Sequence, residues 1–290
     1  MRYLFLSLRP RQWIKNFFIF LPLVFGRKIF SFPENLNSVI AFLLFSLAAS
    51  AVYLINDIID AKKDKLHPIK RLRPIASGRF SIGQAKITAI ILSILSIAFS
   101  FTLNKYFGFT ILAYIIFNFM YTFFLKNLVI IDVFCIGGFF LLRIIAGSIV
   151  ANVQLSHWIL IITILLALFL GFNKRRQELR LMGKSAAKHR NSLINYTVHY
   201  IDLMIAVITS SIVMAYMLYA VDARTIKEFN TSNLIYTIPF VYYGLFRYLY
   251  IIYRFRRDGD PTRILLTDKV LQLDIILWIN VCIAVIYFKA

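Results

Sequence analysis

The chain holds more charge-free apolar stretches of bilayer length than the core of a water-soluble domain can absorb. Crossing the hydrocarbon core takes about 20 mostly apolar residues in helical form. Windows of that order without a charge recur at 36–56, 87–104, 106–125, 144–173, 203–221 and 229–246. The 144–173 window is long enough to hold parts of two spans, and a polar break at Asn152, Gln154 and Ser156 divides it. Adding 13–30, 129–150, 156–172 and 270–288 predicts nine transmembrane helices. Apolar residues make up 60% of the chain, and mean hydropathy is +0.75; a soluble domain is nearer half apolar. The expected fold class is an all-α polytopic membrane protein with a single transmembrane domain over residues 1–290. No small-residue cleavage site follows an apolar stretch near the N-terminus, so no cleavable signal is expected. Cys135 and Cys282 fall inside spans and read as small apolar fillers.

The net charge of +20 is unevenly placed. Most basic residues fall in 1–15, 60–82, 173–199 and 253–269, whereas the turns at 27–35, 103–107, 151–156 and 222–230 are short and nearly neutral. Nine spans put all four basic segments on one side, which the positive-inside rule makes the cytoplasm. The N-terminus is then cytoplasmic and the C-terminus external, as expected for a protein of the bacterial plasma membrane. Attraction to anionic headgroups accounts for part of this charge. Nucleic acid is excluded as a partner, because the charge is confined to membrane loops.

The end of the second span reads Asn56-Asp57-Ile58-Ile59-Asp60-Ala61-Lys62-Lys63-Asp64. Asn56, Asp60 and Asp64 are four apart, so a continued helix puts them on one face with Asp57 beside it. Carboxylates repel one another and are unfavourable at a helix C-terminus, and hard oxygen ligands suit Mg²⁺, which takes one or two carboxylates and completes its shell with phosphate oxygens. A solvated helix end neutralised by Lys62, Lys63 and Lys65 is the plainer alternative. The loop continues His67-Pro68-Ile69-Lys70-Arg71-Leu72-Arg73-Pro74-Ile75-Ala76-Ser77-Gly78. Cations beside a metal cluster suit a diphosphate and its charge as it leaves.

Asn-Asp-x-x-Asp-x-x-x-Asp at the end of a second span, followed by Arg-Pro-Ile-Ala-Ser-Gly, resembles the UbiA prenyltransferase superfamily across essentially the whole chain. The resemblance implies a UbiA-like bundle of nine helices, a Mg²⁺–diphosphate site open to the cytoplasm, and a lipid chain lying in a groove. Aromatic prenyltransferases of that family carry a second motif, Asp-x-x-x-Asp, after the sixth span. Here the loop reads Asn173-Lys174-Arg175-Arg176-Gln177-Glu178-Leu179-Arg180-Leu181-Met182-Gly183, with one carboxylate and no aspartate. It is similar instead to the Lys-Arg-x-x-Glu segment of the decaprenyl-phosphate phosphoribosyltransferase branch. Arg9-Pro10-Arg11-Gln12-Trp13-Ile14-Lys15-Asn16, Asp64 through Pro74, and Asp260 through Lys269 leading into Leu271-Gln272 resemble the same branch.

That branch implies transfer of a phosphoribosyl group from phosphoribosyl pyrophosphate to a polyprenyl phosphate, with an arabinose donor for cell-envelope biosynthesis downstream. The resemblance implies Asn56, Asp60 and Asp64 as Mg²⁺ ligands, and Lys70, Arg71 and Arg73 as partners of the leaving charge. Asp57 or Glu178 would stabilise positive charge on the ribose. Tyr121, Lys126, Asp132 and Arg143 match the family's Tyr…Lys…Asp…Arg pattern, Lys126 and Asp132 as catalytic and Tyr121 and Arg143 as substrate-binding residues; Lys174 and Arg175 join the substrate set. Ionisable residues at membrane depth are functional candidates, although Asp132 and Arg143 also read as structural ions needing partners on other helices.

Arg9, Gln12, Lys15 and Asn16 form a polar face before the first span, suited to a lipid phosphate or, with Trp13, to interfacial anchoring. Asp202 and Asp274 read as helix-start charges, Arg247 lacks an evident partner, and His157, His189 and His199 show no metal spacing. Rival functions are an aromatic prenyltransferase joining a polyprenyl diphosphate to a ring such as 4-hydroxybenzoate, and a transporter. Transporters place charges near the midplane and show internal repeats, which this chain does not.

Overall fold

The structure, a computed structural model, describes residues 2–66, 69–182, 191–255 and 261–288. His67, Pro68, Gly183, His189 and Asp260, singled out above, lie outside the described residues, as do parts of the basic segments 173–199 and 253–269. Among the described residues every regular element is helical. In chain order these are α1 (Arg2–Leu8), a 3₁₀ helix (Pro10–Phe20), α2 (Leu21–Phe25), α3 (Phe32–Asp64), α4 (Ile82–Leu103), α5 (Lys105–Phe123), α6 (Ile131–Ala151), α7 (His157–Met182), α8 (Val198–Val221), α9 (Ala223–Phe229), α10 (Ile238–Phe255), α11 (Pro261–Thr267) and α12 (Lys269–Phe288), with short 3₁₀ turns between. Among the described residues, eight helices are long and apolar enough to cross a membrane. The chain forms two compact units, Met1–Lys126 with Leu142–Gln154 and Asn127–Leu141 with Leu155–Ala290.

In the first unit α3 packs against α1, the 3₁₀ helix, α4 and α5. Small residues let these axes approach without a water-driven hydrophobic term: Ala85, Ala89, Ser96 and Ser100 form the buried side of α4, and Ala41, Ala48, Ala49 and Ala51 that of α3. Ile87, Ile90, Ile91 and Ile94 of α4 point outward, where lipid solvates them. A Ser81–Gln84 capping box starts α4, and Asn104 caps α5. The 33 residues of α3 rise about 50 Å, well beyond the ~30 Å hydrocarbon core. Its surplus turns carry Asn56, Asp57, Asp60 and Asp64, so one continuous helix supplies both the span and the rigid mount for the acids.

The segment expected as a first helical span, 13–30, takes another form. Residues Pro10–Phe20 are 3₁₀, and only Leu21–Phe25 are α. The cause is a period of three. Trp13, Asn16 and Ile19 eclipse one another at 3.0 residues per turn: the Trp13 indole donates to Ser50 Oγ at 3.0 Å, the Asn16 amide donates to Ser46 Oγ at 2.8 Å, and Ile19 is fully buried. Ser46 and Ser50 are one turn apart on α3, so the two helices match register. Gly147 of α6 completes the packing, since a Cβ there would lie 2.1 Å from the Ile19 carbonyl oxygen. Gly147→Ala is therefore expected to destabilise the protein by about 1–3 kcal/mol, seen as a lower thermal midpoint in detergent, while Gly137→Ala, where a Cβ meets nothing within 4 Å, leaves it unchanged.

In the second unit α7 packs against α8, and α10 against α8 and α12, around Phe169, Phe172, Ile201, Ile205, Tyr248, Ile252 and Leu271. The expected span at 229–246 is displaced. Asn230 adopts a left-handed conformation (φ 52°) that ends α9 at Phe229, and a 3₁₀ turn over Asn233–Thr237 precedes α10. A search for charge-free windows stops before Arg247, whereas the helix runs through it because Asp268 neutralises it (Nη2–Oδ2 2.9 Å, Nε–Oδ1 3.2 Å). Hydrogen bonding from Arg247 holds the Asp268 carboxyl below its ordinary range, and Asp268 also accepts from Leu271 N at 2.8 Å, starting α12.

Candidate active site

The acids of α3 meet cations from three other segments of the first unit. Asp57, 3% exposed, accepts from Arg9 Nη2 at 2.5 Å and from Arg73 Nη1 at 3.0 Å, both through Oδ1. The same Arg73 nitrogen reaches Asp64 Oδ2 at 2.6 Å. Asp57 and Asp64 are two turns apart, so one guanidinium spans both. Lys126 Nζ lies 3.4 Å from Asp60 Oδ1, and Thr122 Oγ1 donates to Asn56 Oδ1 at 2.7 Å. Asn56 and Asp60 are one turn apart on α3, and their partners are Thr122 at the end of α5 and Lys126 in the 3₁₀ turn that follows it, which gives two rungs. Arg9 holds a left-handed backbone conformation (φ 53°) and lies over the Tyr53 ring at 5.1 Å. A non-glycine residue there is strained, and the pairing with Asp57 offsets that strain.

Of the expected residues, Asn56, Asp57, Asp60, Asp64, Arg73 and Lys126 are thus brought together. Lys70 and Arg71 form the 3₁₀ turn just before Arg73; Tyr121 and Lys15 are half-buried at the end of α5 and on the 3₁₀ helix. Asp57 is an anchor for two guanidiniums rather than an open carboxylate. Asn16 and Arg143, expected at the substrate, are buried and tied to each other: Arg143 Nε donates to Asn16 Oδ1 at 2.8 Å, and its guanidinium sits against the Phe45 and Tyr114 rings at 4.9 and 5.1 Å. Their visible work is to lock the 3₁₀ helix onto α3 and α6.

The second unit has its own cluster. Asp132 is fully buried, forms an ion pair with Arg175 (Nε 2.8 Å from Oδ2), and accepts from the Tyr196 hydroxyl at 2.9 Å and from Ser192 Oγ at 3.3 Å. Arg175, 1% exposed, also pairs with Glu178. Tyr196 accepts from Ile130 N at 2.6 Å. Burial, and then the neighbouring Asp132 carboxylate, push its phenol above the ordinary range, so it stays a donor. Lys174 is half-buried on the same helix. Asp202, expected as a helix-start charge, instead pairs with the buried Arg176 and accepts from Tyr253 at 2.8 Å, with Arg176 stacked 3.7 Å over that ring. Asp274 is buried with its Oδ2 2.8 Å from where a Cβ of Gly244 would lie. Sequence reasoning left Thr122, Ser192, Tyr196 and the Arg176–Asp202–Tyr253 group unassigned, because each contact joins residues far apart in the chain.

Among the described residues, no group of three or more His, Cys, Asp or Glu stands together as a metal site. Mg²⁺ keeps several waters and binds one or two carboxylates plus phosphate oxygens. Asp60 and Asp64, with the Asn56 amide oxygen on the same helix, are a donor set of that kind.

The chain is thus a helical membrane protein with acids and bases gathered at one end of α3. The chain belongs to the UbiA prenyltransferase family, whose model matches residues 19–267. It is 33% identical over 288 residues to decaprenyl-phosphate phosphoribosyltransferase of Mycobacterium tuberculosis, covering 97% of this chain and 93% of that one. It is 34% identical to the protein of the same name from Corynebacterium glutamicum, covering 97% and 86%. Its fold matches a UbiA homologue from Archaeoglobus fulgidus bound to GPP and Mg²⁺, with a TM-score of 0.73 at 20% identity over 98% of this chain and 99% of that one.

Proposed function

We propose that this protein transfers a 5-phosphoribosyl group from phosphoribosyl pyrophosphate to a decaprenyl-like polyprenyl phosphate, releasing pyrophosphate. In this reading it acts as a single UbiA-like domain of nine spans in a bacterial plasma membrane, with the 3₁₀ segment and α2 as the first span, the N-terminus inside and the site facing the cytoplasm. Eleven residues of 3₁₀ and five of α rise about 30 Å together, enough for the hydrocarbon core. The observation that carries the chemistry is Lys174-Arg175-x-x-Glu178, which stands where aromatic prenyltransferases hold an acidic pair, in a chain full-length similar to enzymes named for phosphoribosyl transfer.

The lipid phosphate is already an anion, so its oxygen attacks the anomeric carbon with no protein nucleophile. The C1–O bond to pyrophosphate breaks, and the electron pair leaves with the pyrophosphate oxygen. A bound Mg²⁺ supplies neutralisation of that departing charge, and Asn56, Asp60 and Asp64 are the residues that would hold it. Arg73, Lys70, Arg71 and Lys126 add fixed positive charge for the diphosphate, and Asp57 keeps Arg9 and Arg73 in place. Lys15, Tyr121, Lys174 and Glu178 are proposed substrate contacts, with the partly exposed Glu178 the carboxylate for charge on the ribose ring. Asp132 acts through Arg175 as a positioning residue, and Asn16 and Arg143 as positioning residues for the 3₁₀ helix.

A prenyl diphosphate with an aromatic acceptor is the second reading, favoured by the fold match to a protein bound to GPP. Purified protein in detergent with Mg²⁺ separates the two. Label is expected to move from phosphoribosyl pyrophosphate into the lipid phase when polyprenyl phosphate is offered. Prenylation of 4-hydroxybenzoate by polyprenyl diphosphate, with no such transfer, would replace the first reading by the second.

A further inference from the structure

The acidic end of α3 carries as many cations as carboxylates. Arg9, Arg73 and Lys126 face Asp57, Asp60 and Asp64 in four contacts between 2.5 and 3.4 Å. Two of those cations sit on the carboxylates that a divalent ion would use. From these contacts we infer that Arg73 and Lys126 are exchangeable counterions: each gives up its metal-site carboxylate, Asp64 or Asp60, to a divalent cation and turns to the diphosphate, so that cation and diphosphate bind cooperatively. The inference rests on the metal–diphosphate reading above and holds for either donor substrate.

Charge is the first reason. A divalent ion alone adds two positive charges beside three cations, and a diphosphate alone adds negative charge beside three carboxylates. Each such contact is worth about 1 kcal/mol at 4 Å in water and about 4 kcal/mol at the effective dielectric of a protein surface. Arriving together, the two ligands largely cancel. Geometry is the second reason. Arg73 Nη1 already touches both Asp57 and Asp64, so it can release Asp64 while Asp57 retains it beside the site. Asp57 is itself held by Arg9 and is buried, which makes it a fixed pivot. Lys126 lies 3.4 Å from Asp60, and both side chains are partly exposed at 23% and 34%. That distance exceeds the usual 2.7–3.2 Å N–H···O range, so this contact is the looser of the two.

The two roles predict opposite signs. A cation that competes with the metal weakens metal binding on its own, yet strengthens it once diphosphate is present. Free Mn²⁺ is measured by electron paramagnetic resonance against the full chain in detergent, with and without inorganic pyrophosphate. Pyrophosphate is expected to tighten Mn²⁺ binding by about tenfold, within the 5–150-fold span of ordinary coupling. Arg73→Gln and Lys126→Gln should each bind Mn²⁺ alone more tightly than the parent, by about threefold, and show coupling reduced towards one. The manganese–pyrophosphate complex in solution is common to all samples, so differences between variants report the protein. Lys126→Gln, which removes the looser contact, carries the test if Arg73→Gln does not fold. Equal or weaker Mn²⁺ binding by the variants, with coupling intact, overturns the counterion exchange while leaving the metal site standing. No Mn²⁺ bound by the parent protein in either condition, or binding left unchanged by Asp60→Asn, overturns the metal site itself.

Discussion

Asp60→Ala and Asp64→Ala are each expected to abolish turnover while the protein stays folded. Turnover depends on neutralising pyrophosphate as it leaves, and losing a single preorganised group of that kind commonly costs about 10²–10³-fold. These two residues are the only carboxylates on the Asn56–Asp60–Asp64 face, so either loss leaves one hard anionic ligand, and the effect should lie at or beyond the top of that range. The fold tolerates both changes for specific reasons. Removing Asp64 leaves Arg73 paired with Asp57 at 3.0 Å, so no cation is stranded. Removing Asp60 takes one contact from the partly exposed Lys126 and relieves repulsion among neighbouring acids. Transfer of label from phosphoribosyl pyrophosphate to lipid measures the first effect, and thermal unfolding in detergent measures the second. Full activity in both variants would remove the metal assignment from α3, whatever the substrate.

What could be read from the chain before its structure divides by the range of the interaction. The acids of α3 were legible because their spacing of four is a local helical signal, and the length of the apolar run before them fixes which end they occupy. The break at Asn152–Ser156 was legible for the same reason: α6 ends at Ala151 and α7 begins at His157. The 3₁₀ helix was not, because a hydropathy window counts apolar residues without testing their period, and Trp13, Asn16 and Ile19 are set three apart rather than three and four. The end of α10 was misplaced for a related reason. Excluding charge from the window assumes that an arginine in a span is unpaired, and Arg247 is neutralised by Asp268, 21 positions later.

The largest departures concern what the ionisable residues touch. Asp57 sits beside the expected ligand face as its spacing requires, yet its partners come from positions 9 and 73, and they turn a candidate for charge stabilisation into a mount for two guanidiniums. Asp132 and Arg143 were each expected to need a partner on another helix, and each has one: Arg175 for Asp132, and for Arg143 an amide with two aromatic faces. No pattern in one sequence names those partners. Burial supplies the missing constraint, since a charge in an apolar interior persists only where its hydrogen bonds are met.

Asp132→Ala is expected to be among the most destabilising single substitutions in the second unit, with a loss of about 3–5 kcal/mol. Arg175, a guanidinium that is 1% exposed, would lose the buried member of its carboxylate partners and keep the partly exposed Glu178. Tyr196 and Ser192 would lose the acceptor that ties the segment before α8 to the start of α6. Asp132→Asn retains an acceptor oxygen for the Tyr196 hydroxyl and should lose less. A double variant distinguishes a stranded charge from simple loss of volume. Replacing both members of a buried pair by apolar groups is often neutral or stabilising, so Asp132→Leu with Arg175→Met should unfold closer to the parent than Asp132→Ala does. Thermal unfolding in detergent reads all three, with an expected drop of at least about 6 °C for Asp132→Ala. Activity then separates structure from chemistry. A stable but inactive double variant would mean that the Asp132–Arg175 pair serves the substrate, because the fold would have been shown to stand without it. An Asp132→Ala protein that unfolds with the parent would mean that Arg175 finds its compensation elsewhere, and Asp132 would lose its positioning role.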